Sequence, residues 1–213
     1  AGVRRDLYLV PVSIHYGRVV EEESYGRELV GAEKEKESLL SLLKARTLLR
    51  QKHGTVYVTF ADPISMRAVL GDAKERLREG AGEPAIEEET RRLTRKLGFR
   101  ILRDVNAATV VGATSVSASV LLSSSHPALR YPQFLAGAQT LLRFLRHQGV
   151  RLTASLERNA EDFKESLAFL ESGGLIQRPP GEDGIIHVPT EKRIRLDFYK
   201  NNIIHFFLLP SLL

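Results

Sequence analysis

Leu7 to Ile14 reads LYLVPVSI, and Thr55 to Phe60 reads TVYVTF. Both stretches are short, uncharged and rich in β-branched and aromatic residues, which is strand composition rather than helix composition. The first is apolar on both faces, so it predicts a strand covered on both sides in an α/β sheet. Pro11 has no amide proton to give a neighbouring strand and is expected at an edge, a bulge or a strand end, where sites are commonly built. Between the two stretches, Ser38 can cap a helix running to about Lys52, with Leu39, Leu42, Leu43, Ala45 and Leu49 on its buried side and Gly54 past its end. Strand, helix and strand in that order predict a right-handed crossover unit.

After Asp62-Pro63 the chain changes character, and charged helices are separated by the turn Gly80-Ala81-Gly82. A domain boundary is placed there, giving a sheet-forming part over residues 1–80 and a mostly helical part over 81–213. Pro84 to Leu97 carries a proline at its start, Glu87, Glu88 and Glu89 in its first turn, Arg95 and Lys96 in its last, and Gly98 beyond, so a helix over that span is expected. Phe99 to about Ser123 predicts a further helix lined with small residues. Pro132 to Gln148 predicts another, with Phe134, Leu135, Ala138, Leu141, Leu142 and Leu145 on one side and Gly149 as its stop. Asn159 opens a helix whose Phe163, Leu167 and Leu170 share a face and which Gly173-Gly174 ends. LIQR and IIHV then flank PPGEDG, the pattern of a β-hairpin, so the helical part ends in a winged-helix-like order of helix, helix and hairpin.

The 213 residues carry a formal charge of +5, which suits an anionic partner: a phosphate-bearing substrate, an anionic membrane surface or a nucleic acid. Zero cysteines exclude disulfides, thiolate metal sites and a cysteine nucleophile. AGVRRDLYLV at the start has no apolar core followed by a cleavage site, so no signal peptide is expected. The longest uncharged run, from Val105, is too rich in Ser, Thr, Ala and Gly to span a bilayer, and Ile203 to Leu213 is too short and is broken by Pro210.

The residues that ordinary helix and strand chemistry does not explain are SYGRELVGAEKEKES, Ser24 to Ser38. Taken with LVPVSIHYGRVVE before it and FYKNNIIHFFLLPSLL at the far end, this stretch resembles the bacterial membrane-bound glycerol-3-phosphate acyltransferases. The likeness runs in register through Pro11, Ile14, Tyr16, Val19, Glu21, Tyr25, Glu28, Leu29, Gly31, Ala32 and Lys34 to Ser38. It returns at Tyr199, Asn201, Asn202, Ile203, His205 and Leu209 to Leu212.

The resemblance implies that residues 1–80 are the C-terminal part of an α/β acyltransferase domain, a sheet remnant, and that 81–213 are its helical C-terminal region. It implies a 1-O-acyl transfer from acyl-CoA or acyl carrier protein to glycerol 3-phosphate, giving lysophosphatidic acid for phospholipid synthesis at the cytoplasmic face of the inner membrane. No metal or redox cofactor is implied. Members of the family perform the chemistry with His-x-x-x-x-Asp, and none of the six histidines here has an aspartate five residues on. No catalytic residue is therefore assigned, and this stretch is expected to be an internal fragment, inactive alone. A dianionic substrate calls for cations, for which Arg18, Lys34 and Lys36 are candidates beside Ser38. Pro11, His15 and Tyr16 are expected to shape the pocket at the strand end. Departures at Gly17-Arg18, Glu22-Glu23 and Val30 leave the acyl donor open.

Two other readings compete. Dihydroxyacetone phosphate acyltransferases share parts of the motif, although the KEKES string favours glycerol 3-phosphate. A winged-helix nucleic-acid module would need a basic recognition helix, whereas Asn159 to Ser172 carries Glu161, Asp162, Glu165 and Glu171 against one lysine, which repels phosphates, so no nucleic acid is expected. An Arg-rich surface with FFLLPSLL would also suit anionic lipid. His15 lies inside the matched stretch that includes Pro11 and Tyr16, and the histidines show no ligand-like spacing.

Overall fold

The computed structural model describes residues 6–17, 55–71, 83–158, 162–179 and 184–208. They fall into two compact units, one of residues up to 14 with 58–109 and one of 15–57 with 110 onwards, so the units interleave along the chain.

In the first unit, β1 (Tyr8–Leu9) pairs antiparallel with β4 (Ile64–Ser65). Ser65 then caps α1 (Met66–Leu70): its Oγ accepts from the Ala68 amide at 3.0 Å and donates to Asp6 Oδ2 at 2.5 Å. The hydroxyl of Ser65, with help from the Arg67 amide, holds the Asp6 carboxyl below its ordinary value. Gly71 closes the helix at φ +37°, a conformation that suits a residue without Cβ.

The long helix of this unit, α2 (Glu83–Ala107), runs straight through Gly98, where the sequence predicts a stop. An interior glycine costs about 1 kcal/mol against alanine, but Leu93, Leu97, Ile101 and Val105 recur every four residues as a half-buried stripe that continues past it. Packing along that stripe outweighs the local signal. The helix predicted over Phe99–Ser123 is correspondingly two helices. The β-branched run Thr109-Val110-Val111 and then Gly112 interrupt it, and Val110–Val111 form β5.

The second unit is built around α3 (Ala113–Ser123), whose Ala113, Ser115, Val116, Ser117, Ala118, Val120 and Leu121 are all buried. Small residues let three helices approach it: α4 (Tyr131–His147), α6 (Asp162–Ser172) and α7 (Arg193–Asn201). A Cβ on Gly137 of α4 would lie 3.0 Å from Val120 Cγ1, so glycine there permits the closest part of that crossing. Phe134 meets Phe163 edge-on at 5.8 Å, and Ser117 and Ser166 share a buried hydroxyl hydrogen bond of 2.7 Å. Phe163, Leu167 and Leu170 line the core as their spacing predicts.

Strand pairings close this unit. β5 runs parallel to β7 (Arg151–Leu152), which leads into α5 (Ala154–Arg158). β6 (Ala128–Arg130) pairs antiparallel with β8 (Ile185–His187), and His187 also exchanges two 2.9 Å backbone hydrogen bonds with Gln177. Gln177 thus bridges the two arms of the predicted hairpin, whose turn residues 180–183 lie outside the described residues, and β8 also pairs with β6. Gly149 and Gly174, at φ +68° and +66°, follow α4 and α6 as expected. A short 3-10 turn at Thr190–Lys192 precedes α7, and α8 (His205–Leu208) follows it.

One expectation about the strands, the right-handed crossover, is corrected. β2 (Val12–Tyr16) and β3 (Val56–Phe60) pair with each other, and the bonds from Gly17 N to Thr55 O and from Ala61 N to Pro11 O mark opposite ends of an antiparallel ladder. A right-handed crossover joins parallel strands, so this pair is not such a unit. β2 is also not covered on both faces by the described residues: Ser13 and His15 are buried while Val12, Ile14 and Tyr16 are exposed.

Candidate functional site

β2 carries the predicted pocket residues. Pro11 is buried between β1 and β2, at a strand end as expected for a residue that cannot donate, and its carbonyl accepts from Ala61. Ser13 Oγ lies 3.2 Å from Thr109 Oγ1, and Thr109 donates to the Val105 carbonyl at the end of α2. Two residues on, strand alternation turns His15 inward. Its side chain is 6% exposed, and Nε2 has no hydrogen-bond partner among the described residues.

The His15 ring lies close against Gly112. A Cβ built on Gly112 would lie 2.5 Å from Nε2 and 3.2 Å from Cε1, so the ring rests on the bare backbone just ahead of α3. Thr153, after β7, borders the same spot, since its Cγ2 would lie 3.6 Å from that Cβ. The Tyr57 ring of β3 lies 6.2 Å away, tilted. Burial away from water pushes the imidazole pKa below its ordinary value, so the ring is neutral at neutral pH. Among the described residues no acid or hydroxyl meets Nε2, and the ring packs at the end of the strand. Thr114 Oγ1 fastens the same end by donating to the Gly17 carbonyl at 3.3 Å.

Tyr16 points the other way and is 48% exposed. The structure therefore separates the three: Pro11 and His15 are buried, Tyr16 is at the surface. Arg18, Lys34, Lys36 and Ser38, with the helix expected from Ser38 to Lys52, lie outside the described residues. Sequence reasoning missed Gly112, Thr109 and Thr153 as partners of β2. The one local signal was a glycine directly after the β-branched pair Val110-Val111.

Other polar side chains pair locally. Arg103 and Asp104 form an ion pair at 2.8 Å. His126 Nδ1 lies 3.3 Å from Ser125 Oγ in the loop after α3, with no elbow-type turn. Among the described residues no group of three or more His, Cys, Asp or Glu could hold a metal ion, and no helix is long and apolar enough to cross a membrane.

The outward face of the strand pair completes the picture. In the first unit, Val12, Ile14, Val58 and Phe60 are exposed, Phe60 at 68%; in the second, Tyr16 and Val56 are exposed as well. The polarity is inverted: this strand turns serine and histidine inward and its apolar residues outward. Exposed apolar patches are characteristic of interaction surfaces.

Residues 25–213 match the family described as glycerol-3-phosphate acyltransferase C-terminal region, and the chain belongs to that family. It is 29% identical over 212 residues to a glycerol-3-phosphate acyltransferase of Actinobacillus pleuropneumoniae serotype 5b (strain L20), covering 99% of this chain and 26% of that protein. A Pseudomonas putida (strain KT2440) protein of the same name is 31% identical over 212 residues, covering 99% and 25%, and one from Glaesserella parasuis serovar 5 (strain SH0165) is 30% identical over 216 residues, covering 99% and 26%. The chain thus spans about a quarter of the length of the curated relatives it matches.

Proposed function

We propose that this chain works as the carboxyl-proximal quarter of a glycerol-3-phosphate 1-O-acyltransferase. In the proposed reaction the 1-hydroxyl of glycerol 3-phosphate loses its proton to a base and attacks the thioester carbonyl of acyl-CoA or acyl carrier protein. The C–S bond breaks, the thiol leaves protonated, and lysophosphatidic acid remains. None of the residues in this chain takes the part of the base, so the chain by itself is expected to be inactive. The observation that carries the reading is family membership over residues 25–213, the stretch that includes Lys34 and Lys36.

The inverted polarity of β2 supports a specific structural role. Val12, Ile14, Val58 and Phe60 present an apolar surface that the rest of the enzyme would cover, making β2 and β3 a remnant of an α/β acyltransferase sheet. Arg18, Lys34 and Lys36 would then neutralise the phosphate dianion, with Ser38 as a hydrogen-bond donor and Pro11, His15 and Tyr16 shaping the strand end beside it. The enzyme would sit peripherally on the cytoplasmic face of the inner membrane, where its acyl product is used. In the full-length enzyme, Lys34→Ala and Lys36→Ala should each raise KM for glycerol 3-phosphate about tenfold, the loss of roughly 1.4 kcal/mol of charge-assisted bonding, with KM for the acyl donor unchanged. Equal changes in both constants, or none, would count against the phosphate role.

A further inference from the structure

The described residues of the second unit hold one feature that the reading above leaves unused, an open groove of about 570 Å³ between α3, α4, α7 and α8. That volume falls within the range of small-molecule sites, about 300–1,000 Å³. Its floor is the close crossing where Gly137 admits Val120. Its walls are Leu141, Ile204 and Phe207, and Phe207 is held upright by stacking on Phe144 at 5.4 Å.

The polar groups in this groove identify what fits. Three hydroxyls line it, and each donates its proton to its own helix: Ser119 to the Ser115 carbonyl at 2.8 Å, Ser123 to Val120 at 2.8 Å, and Thr140 to Ala136 at 2.9 Å. They have no proton left for an occupant. A sugar or a heteroaromatic base, which needs donors and acceptors met, would forfeit hydrogen bonds here; an alkyl chain would forfeit none. Lys200 is the one charged residue in the lining. Its Nζ pairs with Asp197 Oδ1 at a partly exposed position, an interaction too weak to bar a second anion from the ammonium group.

We propose that this groove binds a monomeric single-chain anionic amphiphile, with one alkyl chain along Val120, Leu141, Ile204 and Phe207 and its carboxylate or phosphate head at Lys200. The inference goes beyond the proposed acyl transfer and does not need it, because it rests on the groove's own lining.

Isothermal titration calorimetry on the 213-residue chain tests it, using dodecyl phosphate and dodecyl maltoside below their micellar concentrations so that the tail is constant and only the head differs. The expected result is saturable one-to-one binding with dodecyl phosphate preferred. Ala136→Trp, which adds a ring at an exposed lining position, should weaken both about tenfold or more, and Lys200→Gln should abolish the preference while sparing dodecyl maltoside. Thr140→Trp serves in its place if the melting curve shows Ala136→Trp to be misfolded. Val58→Ser with Phe60→Ser should leave both affinities unchanged. Non-saturating uptake, undiminished binding by the folded tryptophan variant, loss of binding in the Val58/Phe60 variant, or an unaltered preference in Lys200→Gln would each overturn the proposal. Failure here leaves acyl transfer by the full-length enzyme untouched, so the two readings fall separately.

Discussion

Replacing Gly112 by alanine puts a methyl carbon 2.5 Å from His15 Nε2, closer than a carbon and a nitrogen can approach without something shifting. The backbone itself raises no objection, since φ −105° and ψ 163° are open to any residue, so the penalty is steric. Overpacking of this kind costs about 1–3 kcal/mol. Restricting the unfolded chain returns about 0.4–1 kcal/mol. The net is a loss of about 1–2 kcal/mol, or a melting temperature lower by about 2–8 °C for a chain of this size. The informative experiment is the double-mutant cycle with His15→Ala, read by urea unfolding. With the ring gone the methyl has room, so the double variant should be about 1 kcal/mol more stable than the two single losses predict. If the two losses add to within about 0.3–0.5 kcal/mol, His15 does not rest on Gly112 and the strand-end account fails.

Protonation of the same ring gives a pH signature. Burial holds the folded His15 pKa below the ordinary 6.5 that applies in the unfolded chain, so below that pH the unfolded state binds the extra proton. Stability from this group is complete above about pH 6.5 and declines as the pH falls through and below that value, and His15→Asn should flatten the profile of melting temperature between pH 7 and 5. An identical decline in the variant would assign the effect to other groups. The apolar face makes a separate prediction: Val58→Ser with Phe60→Ser should lower self-association of the 213-residue chain in light scattering without lowering its melting temperature by more than a degree or two, because both side chains are already in water. Greater aggregation would contradict it.

How much was legible in the sequence depended on whether the deciding contact was local. The helix around Phe163, Leu167 and Leu170 and the one ending before Gly149 follow from spacing and glycine, signals held within a few residues. Gly98 misled for the opposite reason, since the stripe from Leu93 to Val105 that carries α2 past it gains its value from packing elsewhere in the unit. The antiparallel run of β2 against β3 was hidden because a strand's composition does not encode its partner's direction. At the candidate site, Pro11 and His15 were picked out by their place in a family motif. Nothing in the linear order tied His15 to Gly112, 97 positions on, because that contact is made by the absence of a side chain. The small residues of α3 were legible as a helix lining, but not which of them the core would take: Ser115 and Ser117 are buried because small side chains let three helices crowd one.

The most direct test of the account is acyl transfer itself. The protein translated from the complete reading frame containing this chain should be compared, at equal amount and in the same lipid, with the same protein lacking residues 1–213, using labelled palmitoyl-CoA and glycerol 3-phosphate. The account predicts labelled lysophosphatidic acid from the first and none above background from the second. No transfer by the complete protein, or transfer undiminished by the deletion, would contradict it.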